Sequence, residues 1–246
     1  MKLPAKTVLI TGASTGIGAA TATAFAKEGC NVVINYKSSS KSAQAVLKEC
    51  NRYSKRNMAV AADVSKEKDV AEMFKNVKKQ YTSLDVLVNN AGIFDESDST
   101  INLEAFENIF RNNFLSSIMM TKHALPLMNA GKIVNVSSIH GRLGHGRPAA
   151  AAYSSMKAAL ENYTKNLAKE LAPKILVNAV APGRVVTPQW GTLSQKEQGV
   201  LGKGHLIKRM IQPEEIAESI IFLAKNDAMC GEVLTIDGGM GLVTLG

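Results

Sequence analysis

The chain has 246 residues, a mass of 26.3 kDa and a formal net charge of +8. With 46% hydrophobic and 20% charged residues it can bury a large core, which excludes intrinsic disorder and a small disulfide-stapled scaffold. The excess of basic residues could lie on solvent-exposed helix faces, or it could attract an acidic partner. Because no basic block is interleaved with aromatic residues, we expect no nucleic-acid partner.

The three cysteines, Cys30, Cys50 and Cys230, are far apart and form no Cys-x-x-Cys or Cys/His motif. They predict neither a disulfide framework nor a metal site, and they favour a reducing compartment. No apolar run approaches the roughly 18 residues of a membrane helix, and no signal-peptide pattern follows Met1. We therefore expect a cytoplasmic protein that does not bind membranes.

Short apolar segments rich in β-branched residues alternate with longer helical patterns. The strand candidates are Thr7 to Thr11, Asn31 to Tyr36, Met58 to Ala62, Leu84 to Asn89, Lys132 to Ser137, Ile175 to Val180 and Glu232 to Ile236. The helical patterns are Ile17 to Glu28, Ser40 to Tyr53, Lys66 to Gln80, Leu103 to Met128, Ala149 to Leu171 and Pro213 to Ala224. Because strands this apolar must be covered on both faces, we predict a doubly wound α/β fold, with a parallel sheet, as one domain over residues 1–246.

The first strand runs into a glycine-rich turn, Thr11-Gly12-Ala13-Ser14-Thr15-Gly16-Ile17-Gly18, and a helix follows at once. Glycines allow a tight turn and a close approach to a pyrophosphate, while the helix N-terminus supplies positive potential. The G-x-x-x-G-x-G spacing differs from G-x-G-x-x-G and lacks the Lys-Ser/Thr of a P-loop. The turn predicts a pyrophosphate site formed by Gly12, Ser14, Thr15, Gly16, Ile17 and Gly18.

Further motifs follow the glycine turn in a fixed order. They are Asn89-Asn90-Ala91-Gly92, Ser138, Tyr153-x-x-x-Lys157, Pro182-Gly183-x-x-x-Thr187 and Asp237-Gly238-Gly239. The ordered set resembles the short-chain dehydrogenase/reductase family over nearly the whole chain. The resemblance implies a Rossmann-like sheet of about seven strands and an NAD(P)-dependent enzyme that acts on CH–OH groups. Within the family, the chain is similar to 3-oxoacyl-carrier-protein reductases and to glucose-type sugar dehydrogenases.

The end of the second strand predicts the cofactor. A carboxylate there would bind the ribose hydroxyls of NAD, but the stretch from Asn35 to Lys41 contains no acid. We expect NADP(H) in preference to NAD(H), with Lys37 and Ser38 as contacts of the 2′-phosphate. An ordinary polar loop is the alternative, and Thr15 departs from the basic residue that many NADP-dependent relatives carry in the glycine turn.

The resemblance supplies the other cofactor-binding candidates. They are Tyr36, Asp63, Val64, Asn89, Ala91, Gly92, Pro182, Gly183, Val185 and Thr187, together with Tyr153 and Lys157. Asp63 could equally be a helix N-cap.

Tyr153 and Lys157 are four residues apart, so on a helix they share one face. A phenol that works near neutrality needs its pKa lowered by about three units, or about 4 kcal/mol. One positive charge at about 4 Å and an effective dielectric of about 20 supplies that much. By resemblance, Tyr153 exchanges a proton with the substrate oxygen and Lys157 also holds the nicotinamide ribose.

Two more catalytic candidates come from the resemblance. Ser138 would hydrogen-bond the reacting oxygen, and Asn113 would anchor a water that relays protons to Lys157, with Asn112 as the alternative to Asn113. No metal motif such as H-E-x-x-H is present, so we expect hydride transfer without a metal ion.

The substrate is expected to be a small carbonyl or alcohol compound, which could be linked to a carrier protein or to coenzyme A. Arg142 and Arg147 could attract an anionic substrate, or could belong to a solvated loop in the least regular stretch, Gly141 to Pro148. Pro188 to Met210, with Trp190, is the expected lid. A sugar or polyol dehydrogenase is the alternative, and a non-catalytic cofactor-binding scaffold is disfavoured because all the catalytic positions are occupied.

The resemblance also implies a homotetramer. Its contacts would form through Leu103 to Met128, Ala149 to Leu171 and the C-terminal segment. The apolar stretch from Met240 to Gly246 fits burial against a neighbouring subunit, or coverage of the chain's own sheet edge.

Overall fold

Seven strands form one sheet in the computed structural model, which describes residues 1–95, 97–98, 101–142 and 149–242. The strands are β1 (Thr7–Ile10), β2 (Asn31–Tyr36), β3 (Met58–Ala61), β4 (Val86–Asn89), β5 (Gly131–Val136), β6 (Ile175–Pro182) and β7 (Val233–Ile236). Their order is β3-β2-β1-β4-β5-β6-β7, and every neighbouring pair is parallel. The order reverses between β1 and β4, which places the crevice of a doubly wound sheet at their carboxyl ends.

Helices connect the strands and cover both faces of the sheet. They are α1 (Gly16–Lys27), α2 (Ser40–Cys50), α3 (Glu67–Gln80), α4 (Leu103–Phe110), α5 (Ser116–Ala124), α6 (Ala151–Leu171), α7 (Gln195–Gly202) and α8 (Pro213–Lys225). None of them, as far as the structure describes the chain, is long and apolar enough to cross a membrane.

The core lies on both sides of the sheet, as the apolar strands predicted. In β1, Val8 and Ile10 pack with Phe25 of α1 on one side, whereas Leu9 packs with Phe74 of α3 on the other. All five side chains are at most 2% exposed. Burial on both faces removes a polar face from the strand and explains the absence of alternation in its sequence. The predicted α/β fold with a parallel sheet is confirmed.

Two predicted segments differ from the structure. The helix predicted from Leu103 to Met128 is helical to Leu127 but is not α-helical throughout, because a π-helical turn (Arg111–Leu115) lies between α4 and α5 and a 3₁₀ turn (Leu125–Leu127) follows. The expected lid is not irregular throughout, since it contains a 3₁₀ turn (Pro188–Trp190) and α7. A capping box of Ser194 and Glu197 starts α7, and this Ser-x-x-Glu pattern is visible in the sequence.

Candidate active site

The glycine turn between β1 and α1 is tightly closed. Gly12 and Gly16 have φ angles of 61° and 55°, which favour glycine. A Cβ on Gly18 would lie 2.4 Å from the carbonyl oxygen of Gly12, so this position accepts no side chain without backbone movement. A Cβ on Gly16 would lie 3.1 Å from Cγ2 of Thr187, so the turn also contacts the base of the lid. The other predicted residues of the turn, Ser14, Thr15 and Ile17, are partly or largely exposed at its open side.

The two asparagines at the end of β4 point to different places. Asn90 donates from Nδ2 to the carbonyl oxygens of Thr11 (2.8 Å) and Gly12 (3.2 Å), and so braces the glycine turn. Asn89, the predicted cofactor residue, instead donates from Nδ2 to Oδ1 of Asn135 at 2.9 Å, inside the sheet. Asn90 was not among the predicted site residues, although it belongs to the same motif.

A charged cluster lies where β2 and β3 end. The Lys37 ammonium is 3.0 Å from Oδ2 of Asp63, and Ser65 Oγ donates to Oδ1 of Asp63 at 2.6 Å. Burial by itself raises the pKa of Asp63, but the hydrogen bonds from Ser65 and Lys37 outweigh burial and lower it. Asp63 is not the N-cap of α3, since Lys66 holds that position. Val64 is buried beside Asp63, while Ser38 is exposed and Tyr36 half-buried at the end of β2.

Lys157 is buried at the centre of the site. Its ammonium donates a 2.7 Å hydrogen bond to the carbonyl oxygen of Val136, at the end of β5, and its side chain is nearly inaccessible. Burial lowers the pKa of Lys157 to about 8. The ammonium lies 5.7 Å from the centre of the Tyr153 ring. A positive charge beside the ring favours the phenolate form of Tyr153.

Two aromatic side chains lie beside the Tyr153 ring. The Phe94 ring meets it edge-on with 5.6 Å between ring centres, and the His140 ring does so at 6.4 Å. Phe94 was not recognised in the sequence, where only its place directly after the Asn89 to Ile93 stretch could have indicated it. Because these rings limit the rotation of the phenol, they help to direct its hydroxyl group.

The two adjacent serines after β5 have separate contacts. Ser137 Oγ lies 3.1 Å from both the carbonyl oxygen of Lys157 and Oε1 of Glu161, so its one proton is directed at acceptors on α6. Ser138 Oγ accepts a hydrogen bond from the backbone N–H of His140 at 3.2 Å, which leaves its hydroxyl proton to donate elsewhere. This geometry favours Ser138 over Ser137 as the residue that contacts a substrate oxygen.

Asn113 lies in the π-helical turn between α4 and α5. Its Oδ1 accepts from the backbone N–H of Ile93 at 2.7 Å, and its Nδ2 donates to the Ile93 carbonyl oxygen at 2.8 Å. A Cβ on Gly92 would lie 3.2 Å from Asn113 Oδ1 and 3.7 Å from Lys157 Nζ, so these three residues are neighbours. Asn112, the alternative in the sequence, instead donates to the backbone carbonyl of Asn108.

The segment after β6 is attached to the rest of the fold at several points. The backbone N–H of Gly183, which follows Pro182, donates to Ile236 of β7 at 3.0 Å. Val185 pairs with Ile211 across the lid, and Trp190 Nε1 donates to the Val185 carbonyl oxygen at 2.9 Å. Both ends of the lid are therefore joined at the carboxyl end of the sheet.

The expected anion-attracting arginines are only partly described. The Arg142 guanidinium donates to the carbonyl oxygen of Val233 at 3.3 Å and lies 3.8 Å from Glu161, so its charge faces the protein. Arg147 lies outside the described residues, as do residues 243–246 of the apolar C-terminal stretch.

Comparison with known proteins identifies the family. The family model described as enoyl-(acyl carrier protein) reductase matches residues 12–241. The chain belongs to the short-chain dehydrogenase/reductase family. Two relatives in that family are named 3-oxoacyl-(acyl-carrier-protein) reductase. The one from Synechocystis is 38% identical, covering 97% of this chain and 98% of the relative, and the one from Staphylococcus epidermidis is 36% identical, covering 96% and 98%.

A solved short-chain dehydrogenase/reductase agrees with this assignment. A variant of the Serratia marcescens enzyme superposes with a TM-score of 0.90 at 30% identity, covering 98% of this chain and all of the other. The predicted family and enzyme class are thus confirmed, and the chain is an NAD(P)-dependent dehydrogenase or reductase. Two features fit a dinucleotide: the glycine turn at the N-terminus of α1, with Gly12 and Gly16 at positive φ, and the buried Oδ1 of Asn89, which has no hydrogen-bond partner among the described residues.

Proposed function

We propose that this short-chain dehydrogenase/reductase, as one domain over residues 1–246, is an NADP(H)-dependent reductase of 3-oxoacyl thioesters. The observation that carries the proposal is the position of Lys157, whose buried ammonium lies beside both Val136 and the Tyr153 ring. The names of the two reductase relatives support the substrate class.

Proton transfer is assigned to Tyr153. When bound, the nicotinamide supplies the hydride for the carbonyl carbon, or accepts one in the reverse direction. Tyr153 gives its hydroxyl proton to the carbonyl oxygen, and the resulting phenolate is stabilised by the Lys157 ammonium. Ser138 donates a hydrogen bond to the same oxygen, which favours its developing negative charge.

Asn113 is assigned the last step of the proton path. A side-chain amide offers four hydrogen-bonding positions, and the pair of bonds to Ile93 uses two of them. The remaining positions can hold a water that returns a proton towards Lys157 and Tyr153.

The proposed cofactor, NADP(H), would bind in the crevice at the carboxyl end of the sheet. The residues that would hold NADP(H) are Gly12, Ser14, Thr15, Gly16, Ile17, Gly18, Tyr36, Lys37, Ser38, Asp63, Val64, Asn89, Ala91, Gly92, Tyr153, Lys157, Pro182, Gly183, Val185 and Thr187. Lys37 supports NADP(H), because Asp63 holds its ammonium at the end of β2, where a 2′-phosphate would bind.

The acyl group is assigned to a carrier-protein or coenzyme A thioester. Both carriers are negatively charged, and the formal net charge of +8 favours their approach. We also propose a homotetramer in the cytoplasm. Its support is the apolar surface on α4, where Leu103 is 79% exposed and Phe106 and Phe110 are more than a third exposed.

The test is NADPH oxidation by the purified protein with an acetoacetyl thioester, in parallel with NADH. Tyr153→Phe should abolish turnover while cofactor binding persists, and Tyr163→Phe, ten residues further along α6, should retain turnover. Tyrosine-dependent activity that prefers NADPH supports the proposal. Failure of the thioester, with tyrosine-dependent oxidation of sugars or polyols, would assign the chain to the second class of substrate.

A further inference from the structure

The N-terminus of α6 is capped by a carboxylate from a distant part of the chain. Asp98 lies in the segment after β4, and its Oδ1 and Oδ2 accept hydrogen bonds from the backbone N–H groups of Ala152 and Tyr153, each at 2.9 Å. The Asp98 side chain is fully buried, at 0% exposure. One carboxylate thus satisfies two of the N–H groups that the first turn of a helix leaves unbonded.

The local sequence of α6 supplies no such cap. Ala150 occupies the N-cap position, and its methyl group cannot accept a hydrogen bond. Ala149, one residue earlier, has a φ of 57°, a conformation that a residue with a Cβ adopts unfavourably. A negative charge is favourable at a helix N-terminus, so Asp98 provides what the adjoining alanines lack.

The segment that carries Asp98 also contacts Asn113, a second predicted catalytic residue, and the ring of Tyr153. Ile93, four residues after the end of β4, is bound through both backbone groups by the side chain of Asn113. Phe94 then packs edge-on against the Tyr153 ring. The segment therefore contacts Asn113 at one end, the Tyr153 ring in between and the Tyr153 backbone at Asp98.

We propose that Asp98 is a positioning residue for Tyr153. By binding the amides of Ala152 and Tyr153, it determines where α6 begins and where the phenol stands relative to Lys157. Asp98 itself touches neither substrate nor cofactor. The inference rests on the proposed function insofar as Tyr153 is the proton donor, and a misplacement of about 1 Å at such a group can lower a rate about 100-fold.

The kinetic test compares Asp98→Ala and Asp98→Asn with Glu104→Gln, which changes an exposed carboxylate in the first turn of α4. In Asp98→Ala we expect kcat to fall about 10- to 100-fold while the Kd for NADPH stays within about twofold. Asp98→Asn keeps one acceptor oxygen and should recover part of kcat, and Glu104→Gln should match the unmodified protein. Unchanged kcat in Asp98→Ala, or a loss of NADPH affinity as large as the loss of kcat, would overturn the proposal.

Hydrogen exchange tests the same inference without turnover. Asp98→Ala should speed amide exchange in peptides that cover residues 151–157, while peptides from β1 keep their protection. Equal protection of residues 151–157 in both proteins would refute the role of Asp98. If the unmodified protein reduces no thioester, the proposed function fails while this measurement still decides on Asp98, and Asp98→Asn serves if Asp98→Ala does not fold.

Discussion

The ammonium of Lys157 donates a 2.7 Å hydrogen bond to the carbonyl oxygen of Val136, two residues before Ser138. Ser137, between them, donates in turn to the backbone carbonyl oxygen of Lys157 at 3.1 Å. These two bonds join the middle of α6 to the carboxyl end of β5. Lys157 and Ser138 therefore occupy defined positions relative to each other, as a site with preorganised charge requires.

The ratio kcat/KM for NADPH should fall at alkaline pH. Burial lowers the pKa of Lys157 to about 8, so the ammonium loses its proton as the pH rises through that value. The ratio kcat/KM for NADPH reports ionisations of the free enzyme, and between about pH 7 and 9 it should fall about tenfold. A profile that stays level to about pH 9 would contradict this assignment.

The free energy of unfolding should also depend on the ionisation of Lys157, but it should increase with pH, whereas cofactor binding should weaken. In the unfolded chain Lys157 has the ordinary lysine pKa of 10.5, so the native state releases its proton at lower pH than the unfolded state does. The contribution of Lys157 to the free energy of unfolding therefore increases from about pH 8 to 10.5, by about 2 kcal/mol between pH 7.5 and 9.5. Urea unfolding of the unmodified protein and Lys157→Met at both pH values measures this change, and a constant difference would rule it out.

Replacing Lys37 should reduce the preference for NADPH. Its ammonium beside Asp63 is largely exposed, so we place its effect at the low end for a charged hydrogen bond, a rise of about tenfold in the KM for NADPH in Lys37→Ala. The KM for NADH should change less than about twofold, because NADH has no 2′-phosphate. Lys48→Ala, in the last turn of α2, is the matched control. If the KM values for NADPH and NADH rose equally, Lys37 would not be a contact of the 2′-phosphate.

The two neighbouring asparagines should differ sharply in their effect on stability. Asn113→Ala removes the side-chain partner of both half-buried Ile93 backbone groups and should lower the free energy of unfolding by about 1–3 kcal/mol. Asn112→Ala loses only the contact with Asn108 near the surface and should stay within about 0.5 kcal/mol. Urea unfolding of both variants measures these two changes. Similar losses of unfolding free energy in the two variants would contradict the prediction.

Adding one methyl group to the glycine turn should impair cofactor binding. A Cβ at residue 18 would lie 2.4 Å from the Gly12 carbonyl oxygen, so Gly18→Ala should cost about 1–3 kcal/mol of stability and weaken NADPH binding. Gly199→Ala meets open space in α7, where alanine should stabilise the helix by about 0.5–1 kcal/mol. Calorimetric titration measures the NADPH affinity of the two variants, and thermal melting measures their stability. An unchanged affinity for NADPH in Gly18→Ala would contradict the prediction.

Local sequence patterns predicted much of the fold and part of the site. Apolar runs located the strands to within two residues, because the five inner strands are buried on both faces and the edge strands β3 and β7 are also largely apolar. The spacing of four residues placed Lys157 and Tyr153 on one face of α6, since helical geometry alone determines it. The Ser194 and Glu197 capping box is equally visible in the sequence and marks the start of α7.

The sequence by itself determined the order of the strands and the glycine turn, because these depend on residues close together along the chain, and the ordered set of motifs indicated the family. Only the tertiary structure decided that a π-helical turn brings Asn113 to Ile93, that Asn90 rather than Asn89 braces the glycine turn, and that Asp98 caps α6. Asp98 and Tyr153 are 55 positions apart, and no periodicity connects residues at that separation. Their contact exists because parallel strands bring the segments after β4 and β5 to the same edge of the sheet.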